Sequence, residues 1–297
     1  MRRGIKLSKD KVIFAVVSYS VIGLLAFLCL LPFVLIVSGS FTEERAIFRY
    51  GFSVIPSVFS TEAYAIIMRA PSSILQAYRT TLALTFFGGI SSLILVSMTA
   101  YVLYRKDFPW RNIFAFYFFF TTLFSGGLVP WYILMMRYLN MRDNFLAMVF
   151  PHLLSVFFIL IMRSFMRGIP DSLVEAAKID GAGDFRIYWR IILPLSKPAL
   201  ATIGLFIALN YWNEWFNAML FINDSSMFPL QFYLHRILNS MQFAVIAAQE
   251  ANIPMPRMPT ESFQLAMTVV VTGPILLLYP FVQRYFIKGI TIGAVKG

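Results

Sequence analysis

Four polar residues between positions 210 and 217 have the types and the spacing to form one polar stripe on a helix. They follow the i, i+3, i+4, i+7 spacing of a single helical face: Asn210, Asn213, Glu214 and Asn217. A carboxylate inside a membrane is costly to bury and usually faces a bundle interior or a water-filled cavity. We therefore predict that this face lines a hydrated pathway, where amide groups can exchange hydrogen bonds with the hydroxyl groups of a solute.

The same stripe has a second interpretation, in which the asparagines hold helices together, as polar residues in membrane spans often do. Aromatic residues flank the stripe, namely Tyr211, Trp212, Trp215 and Phe216. An aromatic ring can stack on the apolar face of a sugar, so Trp212 is included among the pathway candidates. Packing or an interfacial belt is the expected role for most of these rings.

The chain offers no pattern typical of a metal centre or an enzyme. His152 and His235 lie in different segments, and neither has a carboxylate or thiol at metal-ligand spacing. The sequence contains no G-x-x-x-x-G-K-[ST] phosphate loop. Facing segments show no Ser/His/Asp or His/Asp/Glu constellation. We therefore predict a non-catalytic chain with no metal site and no cofactor of its own.

A short helix is predicted over about 172–181. Ser172 and Glu175 have the Ser-x-x-Glu spacing of a capping box, in which both side chains satisfy free N–H groups of the first turn. Gly181 and Gly183 can adopt the left-handed conformation that ends a helix. Because a helix of about two turns is not stable alone in water, packing must hold it.

A second helix is predicted directly after the first. Asp184 is in position to cap it, Pro194 is predicted to end it, and Pro198 opens the next apolar segment. From the residues alone, the whole of 163–198 could still be no more than an amphipathic connector at the lipid headgroup boundary.

The elements that must position these residues are membrane spans. The chain has 297 residues, 59% hydrophobic and 13% charged, against about 25% charged in a typical soluble domain. About 20 apolar residues are needed to cross a bilayer as a helix. Six segments qualify: about 12–38, 80–104, 112–136, 144–162, 199–223 and 263–285. We predict an all-α membrane protein with six transmembrane helices, built as a single domain over 1–297.

The distribution of Lys and Arg predicts the orientation. With the N-terminus inside, 17 of the 25 Lys and Arg residues lie on the inner side and 8 on the outer side. Both termini are therefore predicted to be cytoplasmic. Loops 39–79 and 224–262 are then outside, and 163–198 is inside.

The cytoplasmic loop carries a resemblance to a known family. Its letters EAA at 175–177, DGA at 180–182 and I-x-L-P at 191–194 resemble the EAA loop of binding-protein-dependent ABC importer permeases. Further segments are similar to the maltose-type second permease of the carbohydrate-uptake group: LFSGGLVPWY at 123–132, Trp212-Asn213 and the tail at 288–297. The branch that imports oligosaccharides and polysaccharide fragments is the most similar.

The resemblance implies a type I ABC importer permease fold in the bacterial cytoplasmic membrane, with a cytoplasmic EAA coupling helix. It implies as partners a second permease, two ATPase subunits that bind ATP and Mg²⁺, and an extracytoplasmic sugar-binding protein toward which loop 224–262 reaches. In that family the EAA helix docks into a groove on the ATPase. By matching position, the coupling residues here are Glu175, Ala176, Ala177, Asp180 and Gly181.

A transporter of another class stays open as the alternative. A proton- or ion-coupled secondary transporter could use Glu214 as its relay, and it would need no ATPase. That alternative leaves the short cytoplasmic helix without a role.

Overall fold

The computed structural model describes residues 9–69, 71–251 and 259–276, and this part of the chain is helical. Within it there is no β-strand, and the extended pairing consists of one bridge between Thr42 and Phe59. The chain divides into two compact units. One combines the described residues up to 69 with those between 238 and 273, and the other contains 71–237. The all-α prediction is confirmed for the described residues, whereas the single domain over 1–297 stays a prediction.

The first unit begins with a long apolar helix and two short ones. Its helices are α1 (Lys9–Ser40), α2 (Glu44–Tyr50) and α3 (Glu62–Ile67). The stretch Ile13–Ser40 is long and apolar enough to cross a membrane, and its apolar side chains are exposed in this chain. A surface of this kind is stable in lipid and not in water, which agrees with the span predicted over 12–38, although its membrane placement stays a prediction.

A buried carboxylate fixes the start of the last described helix, over 260–276. Glu44 is 4% exposed. One oxygen of Glu44 accepts the backbone N–H of Glu261 at 2.9 Å, and the other accepts the N–H and the hydroxyl of Ser262, each at 2.9 Å. Because the first N–H groups of a helix have no intrahelical partner, Glu44 acts as a distant cap. The predicted span 263–285 lies partly outside the described residues.

The second unit contains the remaining described helices and their interruptions. The list is α4 (Pro71–Tyr104), α5 (Arg111–Leu123), α6 (Leu128–Tyr138), α7 (Leu146–His152), α8 (Val156–Met166), α9 (Asp171–Ile179), α10 (Asp184–Leu195), α11 (Lys197–Trp212) and α12 (Phe216–Phe221). A further helix, α13, spans Leu230–Glu250, and its residues up to 237 belong to the second unit while those from 238 belong to the first. The described residues of the predicted loop 224–262 are therefore largely helical.

The core of the second unit forms where α4, α8 and α11 pack together. Their fully buried apolar residues include Val96, Ile159, Met162, Ile203 and Ile207. Helix α4 starts nine residues before the predicted 80–104 and is one continuous 34-residue helix, long and apolar enough to cross a membrane. These contacts hold the membrane-depth part of α11, which carries the predicted stripe.

Three of the predicted spans, which we expected to be straight helices, are interrupted, and two of them bend by more than 40° at the break. The segment predicted as 112–136 breaks at 124–127, and α5 and α6 meet at 111°. Gly127 has φ +86° at this break, a conformation that glycine adopts without strain. The segment predicted as 144–162 breaks at 153–155 with a bend of 48°, just after Pro151, which has no N–H to donate.

The number of spans stays a prediction. In the described part of the chain, two helices are long and apolar enough to cross a membrane unbroken. The count reaches five if each of three bent pairs is one span: α5 with α6, α7 with α8, and α10 with the segment Lys197–Phe221, which is bent from it by 84°. The span predicted over 199–223 begins at Lys197, with Pro198 in its first turn as expected, and it is broken between α11 and α12.

Candidate functional site

The helix predicted over 172–181 is α9, and its ends differ in part from the prediction. It starts at Asp171 after Pro170, and no side chain caps it. The predicted capping box is therefore wrong, because Pro170 sets the start one residue early and places Ser172 inside the first turn. Gly181 has φ +78° and ends the helix as predicted, whereas Gly183 has φ −68° and is not left-handed. The turn is already complete at Ala182, whose N–H donates to Ala177 O at 2.9 Å.

Helix α9 has one packed face and one free face. Val174 and Ala177 are buried at 9% exposure each. Leu173, Glu175 and Ala176 are exposed, and Ile179 is 87% exposed. Asp180 and Gly181 are also exposed at the end of the helix. All the predicted coupling residues except Ala177 therefore lie on the surface of this chain.

Charged groups attach α9 to the loop that follows α4. Arg105 binds Asp107 through two hydrogen bonds, from Nε to Oδ1 at 2.8 Å and from Nη2 to Oδ2 at 2.6 Å. Lys178 of α9 donates to the same Asp107 Oδ2 at 2.6 Å. The Arg105 guanidinium, and after it the Lys178 ammonium, hold the pKa of Asp107 well below its usual range. Asp107 therefore links the loop to the helix as a carboxylate.

Arg105 also binds the start of α10. Its Nη1 lies 2.6 Å from Asp184 Oδ1 and donates to the hydroxyl of Tyr101 at 2.6 Å. The guanidinium is nearly enclosed, with 8% of its side chain exposed. We call Arg105, Asp107, Lys178 and Asp184 the Arg105 cluster. The prediction that Asp184 caps α10 is wrong, because it is the first helical residue and its carboxylate is bound to Arg105.

A second ion pair lies beside the cluster. Lys106 binds Asp171, and Tyr104 donates its hydroxyl to Asp171 Oδ1 at 3.4 Å. The hydrogen bond from Lys106 lowers the pKa of Asp171. Both ends of α9 are therefore attached to the 104–107 segment, at Asp171 and at Lys178, which supplies the packing that so short a helix requires.

Helix α10 continues through the proline that was predicted to end it. Pro194 lies inside the last turn, and the helix ends at Leu195. A π-helical turn at Tyr188–Ile192 precedes it. A proline has no N–H to donate, so a backbone carbonyl of the preceding turn loses its usual hydrogen bond. A local π-helical turn can supply such a carbonyl with another donor.

The second candidate site lies at the break between α11 and α12. Glu214 is 2% exposed there. Its Oε1 accepts the N–H of Asn217 at 2.7 Å and that of Ala218 at 3.4 Å, at the start of α12. Its Oε2 accepts Asn217 Nδ2 at 3.0 Å and lies 2.6 Å from Nε2 of His152. The carboxylate is thus held by four polar contacts, as a buried charge requires.

The prediction of one continuous polar face is wrong, because the helix is interrupted at 213–215. Glu214 and Asn217 lie inside this chain, whereas Asn210 and Asn213 are exposed. The amide of Asn213 donates to Leu209 O at 3.0 Å and accepts a hydrogen bond from Gln231 at 3.0 Å. Trp212 is buried at 4% exposure. A pathway role for these residues stays a prediction.

Sequence reasoning missed His152 as a partner of Glu214. The imidazole is packed edge-on against Tyr211, with ring centroids 5.6 Å apart, and Tyr211 donates its hydroxyl to Val149 O at 3.0 Å. One signal was present, since His152 is the one ionisable residue of the predicted span 144–162 and Glu214 is the one acid of its own span. Among the described residues, no group of three or more His, Cys, Asp or Glu could hold a metal ion.

Comparison with known proteins gives a consistent picture. Residues 128–292 match the family model described as binding-protein-dependent transport system inner membrane component. The chain is 36% identical to the polygalacturonan/rhamnogalacturonan transport system permease protein YtcP of Bacillus subtilis (strain 168), over 96% of this chain and 99% of that protein. It is 34% identical to protein LplC of the same organism, over 96% and 95% of the two chains.

A solved structure has the same fold. It is the crystal structure of a bacterial ABC transporter involved in the import of the acidic polysaccharide alginate. The match has a TM-score of 0.76 and 31% sequence identity, and it covers 95% of this chain and 100% of the other. An all-helical ABC importer permease fold is therefore shared over almost the whole length.

Proposed function

The chain belongs to the family of binding-protein-dependent transport system inner membrane components, and on that premise we propose that it is a permease subunit of an ATP-driven importer. Its cargo is an oligosaccharide or a polysaccharide fragment. The names of the relatives support this cargo, since one is a permease for polygalacturonan and rhamnogalacturonan and the solved structure belongs to an alginate importer. The permease itself is non-catalytic.

The free face of α9 is the observation that carries the proposal. Ile179 is 87% exposed and Leu173 is 43% exposed, on the same short helix as the exposed charged residues Glu175 and Lys178. Apolar side chains on a short exposed helix are a typical contact surface for another protein. Small residues at Ala176 and Gly181 allow a close approach. An ATPase subunit that docks here could move α9, and through the Arg105 cluster move α4 and α10.

The remaining partners follow from the family. We propose a second permease, two ATPase subunits that bind ATP and Mg²⁺, and an external sugar-binding protein, with both termini of this chain in the cytoplasm. Glu175, Ala176, Ala177, Asp180 and Gly181 are the coupling residues. Ala177 contributes to this role indirectly. It is buried against the helix bundle and so determines which side of α9 is free.

The pathway is proposed to run along the outer side of the α11–α12 break. Asn210 and Asn213 present amides there, and Trp215 is 40% exposed beside them. Trp212, Glu214 and Asn217 support this surface from behind, since all three are buried.

A proton-coupled secondary transporter is not favoured. The family membership points to an ATPase-driven complex. Glu214, the residue that would relay protons, is 2% exposed and occupied by four hydrogen-bonding contacts within this chain.

Reconstitution tests the proposed function. The chain is co-expressed with its neighbouring second permease, ATPase and binding protein, and the purified complex is placed in vesicles. Uptake of oligogalacturonides and of neutral oligosaccharides is measured with ATP or with a pH gradient alone. We expect ATP-dependent uptake that requires the binding protein. Uptake that follows the pH gradient without ATP would contradict the proposal and favour the secondary transporter.

A control variant separates docking from folding. Ile179→Ser should weaken ATPase association, because it removes an exposed apolar contact. Phe185→Ser, which removes a ring that is also exposed, at 66%, from α10, should leave ATPase association unchanged. A complex that stays equally stable in both variants would remove α9 from the docking surface.

A further inference from the structure

The break between α5 and α6 exposes main-chain polar groups at membrane depth. Helix α5 has 13 residues, so the break lies about 20 Å from its Arg111 end, within a hydrocarbon core of about 30 Å. The N–H and C=O groups of Ser125 and Gly126 have no hydrogen-bond partner among the described residues, whereas Gly127 N–H donates to Ser125 Oγ at 3.2 Å.

Lipid cannot satisfy such groups. Irregular backbone within the hydrocarbon region occurs where protein covers it or where it lines a water-filled cavity. No described part of the chain covers the break, since residues 121–130 are all exposed. The segment 124–127 therefore faces either water or another molecule in the assembled importer.

A concavity of about 530 Å³ opens at this break and is lined by Ser125, Gly126, Gly127 and Trp131, among others. Trp131 is half-buried and packs against a small core of Met135, Ala147 and Phe221, which holds its ring in place. We call this feature the Trp131 concavity.

Gly127 is the glycine that the shape of the break requires. Beside Gly126 the space is open, since an added Cβ there would meet nothing within 4 Å. Gly127 has φ +86°, which turns the chain back toward Trp131. The feature thus combines an aromatic ring, unpaired peptide donors and acceptors, and free volume.

The chemistry of this lining fits a pyranose. A sugar ring has an apolar face that stacks on an indole, and its hydroxyls both donate and accept hydrogen bonds, as free peptide groups do. The lining contains no charged side chain, so it would hold the neutral part of a sugar unit. We propose that the Trp131 concavity is a saccharide subsite of the translocation pathway, an inference that rests on the proposed function.

The positions of the other breaks support this placement. Helices α8 and α11 have 11 and 16 residues, so their breaks lie about 17 and 24 Å from their cytoplasmic ends. All three breaks are therefore at similar depth within one unit. Helices α6 and α12, which follow two of them, stack through Tyr132 and Phe221 with ring centroids 5.8 Å apart. Interrupted helices near mid-depth form the substrate sites of many transporters.

Cysteine labelling tests the subsite in the assembled importer. In a background with Cys29→Ser, the variants Ser125→Cys and Gly126→Cys are exposed to a charged, membrane-impermeant thiol reagent in vesicles. Phe116→Cys, from an exposed position of α5, is the lipid-facing control. Uptake of oligogalacturonide is measured first in the same vesicles, so that failure of the proposed function is recognised separately.

We expect residues 125 and 126 to react, and the reaction to slow when oligogalacturonide, binding protein and vanadate trap the loaded complex. Phe116→Cys should not react. Labelling that the saccharide does not slow would mean a wet surface without a subsite. No labelling at either position would mean that the second permease covers the break. Either result, with uptake intact, overturns the proposal.

A matched pair of tryptophans gives a second measurement. Trp131→Ala should lower the saccharide transported per ATP by about tenfold, the size of a single aromatic stacking contact, while Trp131→Phe retains most of it. Trp110→Ala, at the other end of α5 and exposed, should change nothing. A purely structural role would lower ATP hydrolysis and transport together and leave their ratio unchanged, which would also overturn the subsite.

Discussion

His152 and Glu214 join two interrupted helices at their breaks, with Nε2 of one lying 2.6 Å from Oε2 of the other. His152 is the last residue of α7, and Glu214 lies in the gap between α11 and α12. The same carboxylate accepts the first free N–H groups of α12. One side chain therefore compensates for the interruption and ties it to the neighbouring span.

This arrangement predicts different outcomes for two substitutions at Glu214. Glu214→Leu removes every acceptor and leaves buried donors without partners, so it should lower the free energy of unfolding by about 3–5 kcal/mol. Glu214→Gln keeps one acceptor for Asn217 N–H and should cost about 1–2 kcal/mol. Thermal unfolding of the purified complex measures both, alongside uptake. Equal loss of uptake in the two variants would contradict the structural role and indicate a required charge.

The sequence predicted the elements near this pair better than their interruptions. Apolar length located the helices, because burial in lipid depends on the composition of each segment alone. The breaks depend on distant contacts. Glu214 can lie buried between one helix and the next because His152, 62 residues earlier in the chain, contacts its carboxylate. No local sequence pattern carries that information. The break at 124–127 escaped notice because Phe124 and Leu128 keep the segment apolar.

The coupling loop shows the same limit. The left-handed Gly181 followed from residue type, since few other residues adopt φ +78°. The capping role given to Asp184 failed because its partner, Arg105, lies in another loop. A carboxylate beside a helix start can be a cap or half of an ion pair, and tertiary contacts decide which.

The two glycines that follow α9 should respond differently to alanine. Gly181→Ala places a Cβ at φ +78° and should cost about 1 kcal/mol or more, which shifts the end of α9 and lowers the ATPase activity stimulated by the loaded binding protein. Gly183→Ala, at φ −68°, is the control and should behave as wild type. Equal activities would show that the turn at Gly181 does not position the docking helix.

Asp107→Asn should reduce coupling without preventing assembly. The substitution removes the charge that both Arg105 and Lys178 bind, so the Lys178 end of α9 loses its attachment to the loop, while the Lys106–Asp171 pair and the apolar contacts of Val174 remain. We expect a lower ratio of saccharide transported to ATP hydrolysed. Asp10→Asn is a control with the same chemistry at an exposed position. An unchanged ratio for Asp107→Asn would show that the Arg105 cluster does not transmit motion.

The pKa of Asp107 also predicts how coupling depends on pH. The pKa is lowered in the folded protein, so its stabilisation is fully present above the unfolded value of about 4 and is lost only as the pH falls through the lower folded value. Asp107 therefore keeps its charge from pH 5 to 8. The ratio of transport to ATP hydrolysis should be flat across this range. A pH-dependent ratio that disappears in Asp107→Asn would contradict this.

The close approach of Gly88 to Tyr211 predicts a last pair of variants. A Cβ added at Gly88 would lie 2.7 Å from two ring carbons of Tyr211, whereas one added at the neighbouring Gly89 would meet nothing within 4 Å. The Tyr211 ring is fully buried and its hydroxyl is bound to Val149 O, so it cannot move aside without breaking that bond. Gly88→Ala should therefore lower the free energy of unfolding by about 1–3 kcal/mol, and Gly89→Ala should leave it unchanged or raise it slightly. Thermal unfolding in the same detergent compares the two variants directly. Because Tyr211 packs on His152, Gly88→Ala should also weaken the effect of Glu214→Leu in the double variant. Strictly additive losses of unfolding free energy would show that the two contacts are independent.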